Sequence, residues 1–164
     1  MREGLLFGDE NVLEHEEIIH LYDEMTLSDG EGLIHQGELT TAFYIVESGE
    51  LEVVEGVGDS AITLARLMDG DVFGEVSFFD GGERSATVRS RGTTTVYAMS
   101  RDNFLQVVRH EPELALRMLV ALGKVSAGKM RRADRMLSGL AGKSDLRDDP
   151  SIRRLVMDIR STMR

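Results

Sequence analysis

Along residues 10–25, ENVLEHEEIIHLYDEM, apolar side chains recur at Val12, Leu13, Ile18, Ile19, Tyr22 and Met25 among many acids. That spacing predicts an amphipathic helix. From Thr26 to Ser100 the pattern shortens to apolar runs punctuated by glycine: AFYIVESGELEVVEG, AITLARLMDGDVFGE and RSATVRSRGTTTVYAMS. Ser48-Gly49, Asp69-Gly70 and Arg91-Gly92 read as turn signals at near-regular intervals, and many short strands with tight turns predict a sandwich or barrel-like roll. After Ser100 the helical period returns. Ser100 can N-cap a short helix over 101–110, with Asp102 well placed in its first turn. Pro112 suits the first turn of a longer helix over 112–137, which Ser138-Gly139 should stop. Its apolar stripe is Leu114, Met118, Leu122 and Val125, and Gly123 and Gly128 weaken its intrinsic helicity. LAGKSDLRDDP looks like a linker, after which Asp149-Pro150 opens an amphipathic helix with Ile152, Leu155, Val156, Ile159 and Met163 on one face.

The fold class expected from this pattern is α+β. It comprises an antiparallel, jelly-roll-like β-roll over 26–100, an N-terminal helix over 10–25 and flanking helices over 101–137. Residues 1–137 then form one domain, and 138–164 a linker and a basic amphipathic helix.

Composition narrows the function classes. The chain has 164 residues and no cysteine, which removes disulfides, thiolate metal sites and cysteine nucleophiles together. No apolar run approaches the ~20 residues that span a bilayer, and the N-terminus lacks the apolar stretch of a signal peptide. A soluble, cytoplasmic protein is the expectation. The net charge of −10 argues against indiscriminate nucleic-acid binding. That average hides an asymmetry: residues 1–128 hold 9 Lys/Arg and 24 Asp/Glu, whereas 129–164 hold 10 and 5. An acidic body carries a basic tail. The four histidines, His15, His20, His35 and His110, are scattered rather than clustered as a metal site would want. No nucleophile–base constellation or P-loop stands out, so no enzyme and no cofactor is expected.

The stretch FGEVSFFDGGERSATV (73–88) carries the chemistry. A phosphodiester needs a fixed cation and neutral donors close by. Arg84 supplies a planar fork of donors, and the backbone beside Ser85 and Ala86 can approach an anion closely. A ribose hydroxyl needs an acceptor, which Glu75 supplies, and Gly74 lets the backbone pass without a side chain in the way.

This stretch resembles the phosphate-binding cassette of cyclic nucleotide-binding domains, as in the bacterial catabolite activator family and the regulatory subunits of cyclic AMP-dependent protein kinase. The matching residues are Phe73-Gly74-Glu75-Val76-Ser77-Phe78 and Arg84-Ser85-Ala86-Thr87-Val88. Upstream, IHQGELTTAFYIVESGELEVVE (34–55) is similar to the family's early strands, with Gly37, Tyr44, Ile45 and Gly49 in register, and the likeness covers about residues 5–137. The resemblance implies that Glu75 accepts from the ribose 2′-hydroxyl and Arg84 pairs with the cyclic phosphate, supported by Gly74, Val76, Ser85 and Ala86. It also implies that Val53, Leu64 and Ala65 could face the base. The base cap would come from the long helix, with Lys124, Ser126, Lys129 and Met130 as candidates.

The ligand implied is cyclic AMP or cyclic GMP, since a serine at position 85 is compatible with either. The function implied is a sensor that signals through its C-terminal helices to a protein partner. The stripe at Leu114, Met118, Leu122 and Val125 either packs on the roll or forms a homodimer seam. After Leu137 only one clear helix remains, too little for a helix-turn-helix, so no direct DNA binding is expected. A scaffold that has lost its ligand, and a fragment or trans-acting partner of a transcription regulator, are the alternatives.

Overall fold

The computed structural model describes residues 19–56 and 61–141. A 3-10 turn at Ile19–Leu21 leads into β1 (Asp23–Leu27), β2 (Gly32–Ile34), the long β3 (Phe43–Glu55), β4 (Ile62–Met68) and the short β5 (Val72–Phe73). Helix α1 (Glu75–Asp80) follows, then the long β6 (Thr87–Met99), α2 (Arg101–His110) and α3 (Pro112–Ala141). The strands form one antiparallel sheet with the path β1-β6-β3-β4, to which β2 adds on β6 and β5 on β3. The α+β roll with flanking helices is the architecture observed.

β3 and β6 are its spine, and their alternation explains the layering. Phe43 and Ile45 face one apolar cluster, while Tyr44 and Val46 face another. The first cluster joins Phe43, Phe78, Met99, Phe104 and Val107 to Leu114, Met118 and Leu122, and so seats the helices on the sheet. The second, with Leu51, Leu67, Val88 and Val96, fills the roll. Because β3 is covered on both faces, its first four residues are all apolar and buried. Phe78 meets Phe43 at 5.0 Å and Phe104 at 5.3 Å, both edge to face. Each such pair adds about 0.5–1.5 kcal/mol beyond the area it buries.

Three expectations are corrected. The helix over 10–25 does not reach Met25, because Asp23–Leu27 is strand, hydrogen-bonded along β6 with Leu27 buried. Met25 and Leu27, two positions apart, fit a short strand as well as a helix end, and pairing with β6 decides for the strand. The rest of that helix, before Ile19, lies outside the described residues. Ser48-Gly49 and Arg91-Gly92 are not hairpin turns. They lie inside β3 and β6, where register shifts near Ser48 mark irregularities that bend two 13-residue strands. Ser138-Gly139 does not stop α3, which continues to Ala141; the linker from 142 and the terminal helix also lie outside the described residues. Ser100 does N-cap α2, its side chain accepting from the Asn103 N–H at 3.1 Å, and Pro112 opens α3.

The chain divides into two compact units, Met1–Val125 and Ser126–Arg164, with the boundary inside α3. In the second, residues 130–136 are exposed around the whole helix, including Met130 and Met136.

Candidate functional site

The site is built where β5, α1 and the start of β6 meet the loop before β3. Phe73 pairs with Tyr44 across β5 and β3, and their rings stack at 5.1 Å. The chain then turns at Gly74, whose φ of 76° and ψ of 6° lie in the left-handed region. A Cβ there would also sit 2.7 Å from Arg84 Nη1 and 3.0 Å from the Ala42 carbonyl oxygen. Glycine is thus required for both conformation and space. Glu75 opens α1, where a carboxylate suits the helix dipole, and only 2% of it is exposed.

Arg84 is the counterpart, with 4% exposed. Its backbone is clamped by the 37–38 turn: its N–H donates to the Glu38 carbonyl and its carbonyl accepts from the Gly37 N–H, both at 2.9 Å. Its side chain is held at three points. Nε donates to Thr40 Oγ1 at 2.7 Å, Nη1 to the Gly74 carbonyl at 3.0 Å, and Nη2 to the Ala42 carbonyl at 2.7 Å. The guanidinium carbon lies 5.6 Å from the centre of the Tyr44 ring. None of these three acceptors is a carboxylate. A guanidinium has five N–H donors, so two remain uncommitted by these bonds.

The electrostatics agree with the geometry. Burial pushes the Arg84 guanidinium down from its usual range, while Tyr44, Glu38 and Glu75 act to hold it up. Burial likewise raises the Tyr44 phenol, against the lowering effect of the Arg84 charge. The result is a buried cation cradled mostly by neutral dipoles, which favours an incoming anion.

The other predicted residues fall in different places. Ser85 is exposed and Ala86 buried. The Val76 side chain is 60% exposed, on the outer face of α1. Val53 is paired with Ala65 on β4 and with Val88 on β6, so these three share one face, and Val53 packs against the cluster that fills the roll. Leu64 is the extra residue where the β3–β4 register shifts, and is 54% exposed. Ser126, Lys129 and Met130 belong to the second unit, and Lys124 is exposed near the end of the first. The Arg84 N–H is already bonded to Glu38, so any backbone donor to an anion must come from its neighbours.

Sequence reasoning passed over Thr40, the Ala42 carbonyl, the Tyr44 ring beneath Arg84, and the anchoring of α1. The last is notable: Arg101 Nη2, at the start of α2, donates to the Phe78 carbonyl and lies 3.4 Å from that of Phe79. None of these contacts is local, so no short motif marks them.

The family model for the cyclic nucleotide-binding domain matches residues 24–111, more than half of the chain. The chain belongs to the cyclic nucleotide-binding domain family. The match runs from the second residue of β1 to just past the end of α2, and takes in Gly74, Glu75 and Arg84. This cyclic nucleotide-binding domain is 34% identical over 106 residues to the cyclic AMP receptor protein of Thermus thermophilus, covering 64% of this chain and 47% of that protein. It is 32% identical over 108 residues to the cAMP-dependent protein kinase regulatory subunit of Yarrowia lipolytica, covering 66% of this chain and 28% of that one. The chain therefore spans about half or less of these relatives. The crystal structure of the Thermus thermophilus catabolite activator protein superposes with a TM-score of 0.66 at 29% identity, over 85% of this chain and 63% of that one. By name these relatives are a receptor protein, a kinase regulatory subunit and an activator protein. Among the described residues no helix is long and apolar enough to cross a membrane.

Proposed function

We propose that this protein is a cytoplasmic cyclic nucleotide sensor that binds cyclic AMP in preference to cyclic GMP, and that it is not an enzyme. The observation that carries the proposal is Arg84: a buried guanidinium held by two carbonyls and a hydroxyl beside the Tyr44 phenol, with no carboxylate among those three acceptors, so that its charge suits the oxygens of a phosphodiester. Glu75, buried on the other side of Gly74, takes the ribose 2′-hydroxyl. The backbone at Gly74, Val76, Ser85 and Ala86 lines the phosphate, while Val53, Leu64 and Ala65 face the base. The preference for cyclic AMP leans on the names of the relatives just described, since Ser85 suits either base.

Output follows from how α1 is anchored. Phe78 joins α1 to the cluster shared with α2 and α3, and Arg101 holds its last carbonyls. A ligand that shifts α1 thereby biases the helices, by no more than its differential affinity for the two arrangements. The C-terminal helices and the basic tail carry that change to a protein partner or to a second copy.

Calorimetric titration with cyclic AMP and cyclic GMP tests the proposal. Micromolar or tighter binding is expected, with Arg84→Ala weakening it about 100-fold or more, as for loss of one partner in a buried charged pair. Absence of heat with either nucleotide, from folded protein carrying no co-purified ligand, overturns it and favours an interaction scaffold. A second reading, that these residues are the sensing part of a transcription regulator, is supported by 32% identity to the cAMP-activated global transcriptional regulator of Escherichia coli. No retardation of mixed-sequence DNA is expected with saturating nucleotide; nucleotide-dependent retardation would favour that second reading.

A further inference from the structure

Of the three acceptors that hold the Arg84 side chain, two are backbone carbonyls that no substitution removes. The third is the hydroxyl of Thr40, 44 residues away in the chain and 2.7 Å from Nε. Thr40 itself is exposed, while the guanidinium it holds is buried. We propose that Thr40 is a positioning residue for the anion-binding guanidinium. Its hydroxyl fixes the rotation of the fork, so that the N–H groups outside these three bonds face the ligand. This deepens the proposed function and rests on it.

The chemistry is specific. Nε and Nη2 both donate to the stretch before β3, to Thr40 and Ala42, while Nη1 donates across the site to Gly74. The guanidinium is one rigid plane, so the Nε–H bond to Thr40 acts with the two carbonyl bonds to set its rotation about the Cδ–Nε bond. Without the hydroxyl, Nε–H is left unsatisfied in a buried place, or the fork turns to find another acceptor. The first loosens the hold on the fork, and the second re-aims its remaining donors. The 35–38 turn supports the arrangement from below: its carbonyl clamps the Arg84 N–H, and the Glu38 carboxylate accepts from the His35 N–H at 3.2 Å and contacts His35 Nδ1 at 3.0 Å.

The test compares Thr40→Val, Thr40→Ala and Thr40→Ser by calorimetry with cyclic AMP, by thermal melting, and by hydrogen exchange of the Arg84 Nε–H seen in 15N spectra. That resonance is assigned by its loss in Arg84→Lys. Val and Ala are expected to weaken binding about tenfold or more, the scale of one hydrogen bond to a charged group. Ser should stay within about threefold of wild type. Nε–H exchange should accelerate in Val and Ala but not in Ser, with melting lowered by no more than several degrees in Val and Ala and unchanged in Ser. Wild-type binding that Thr40→Val leaves within about twofold, or Nε–H exchange that stays slow, overturns the role of Thr40 alone. Failure of both Val and Ala to fold overturns it too, since the hydroxyl would then be structural. Absence of binding by the wild type overturns the sensor proposal instead, and the role of Thr40 with it.

Discussion

Gly74 meets two demands by lacking one atom. Its left-handed backbone would cost an L side chain roughly 1–2 kcal/mol. A Cβ there would also press on Arg84 Nη1, whose bond to the Gly74 carbonyl is one of three that aim the guanidinium. Gly74→Ala is therefore expected to lower stability by about that backbone cost and, separately, to weaken nucleotide binding by at least about tenfold as Arg84 is displaced. Urea denaturation and calorimetry read the two effects. Normal binding by a destabilised variant would mean that the Gly74–Arg84 contact does not aim the fork. Gly74, Glu75 and Arg84 were legible in the sequence because they lie within eleven positions and their residue types alone suggest an anion beside a hydroxyl. Thr40, Ala42 and the place of the Tyr44 ring beside Arg84 were not. A threonine in a loop carries no sign that it will meet an arginine 44 residues on, and a backbone carbonyl carries no residue type at all. Arg101 was legible as part of a helix start but not as the anchor of the preceding helix.

β3 and β6 are long strands that bend through glycines rather than hairpins that end at them. Gly49, at a φ of 104°, sits so close to β6 that a Cβ would lie 2.7 Å from Thr94 Oγ1 and 2.8 Å from the Thr93 carbonyl oxygen. Thr94 is fully buried there, its hydroxyl accepting from the Glu50 N–H at 3.2 Å and donating to the Glu50 carbonyl at 3.0 Å. Gly92, at a φ of 78°, has nothing within 4 Å of where its Cβ would be. Gly92→Ala should then cost only the backbone term, about 1–2 kcal/mol. Gly49→Ala adds overpacking against β6 and should cost a further ~1–3 kcal/mol. Equal losses in urea denaturation would show that the close approach of the two strands relaxes without penalty. The same pair explains what the sequence left open at this scale. Ser48-Gly49 and Arg91-Gly92 have turn composition, because a bulge and a turn ask the same left-handed freedom of glycine. Only the partner strand distinguishes them. The helical caps at Ser100 and Pro112 were legible for the opposite reason: their bonds or constraints act within one turn of chain.

Charge acts on the whole molecule. The body holds 24 acids against 9 bases, and the chain carries a net −10, yet the proposed ligand is an anion. Two electrostatic effects therefore oppose each other at the site. The long-range field of the acidic body repels the nucleotide, and at about 0.01 M salt it reaches roughly 30 Å. The contact with Arg84 attracts it at short range, in a buried place that mobile ions screen weakly. Added salt should remove mainly the repulsion. Affinity for cyclic AMP is thus expected to hold or to rise a few-fold between about 0.01 and about 0.3 M salt, where the range of the field shrinks to below 10 Å. A surface cluster of cations would behave in the opposite way, losing affinity steeply as salt rises. Such a cluster exists in this chain, since residues 129–164 hold 10 Lys/Arg. Titration across a salt series separates the two. Flat or rising affinity places the anion on Arg84, whereas a fall of tenfold or more would place it on the basic tail, and the buried guanidinium would need another role.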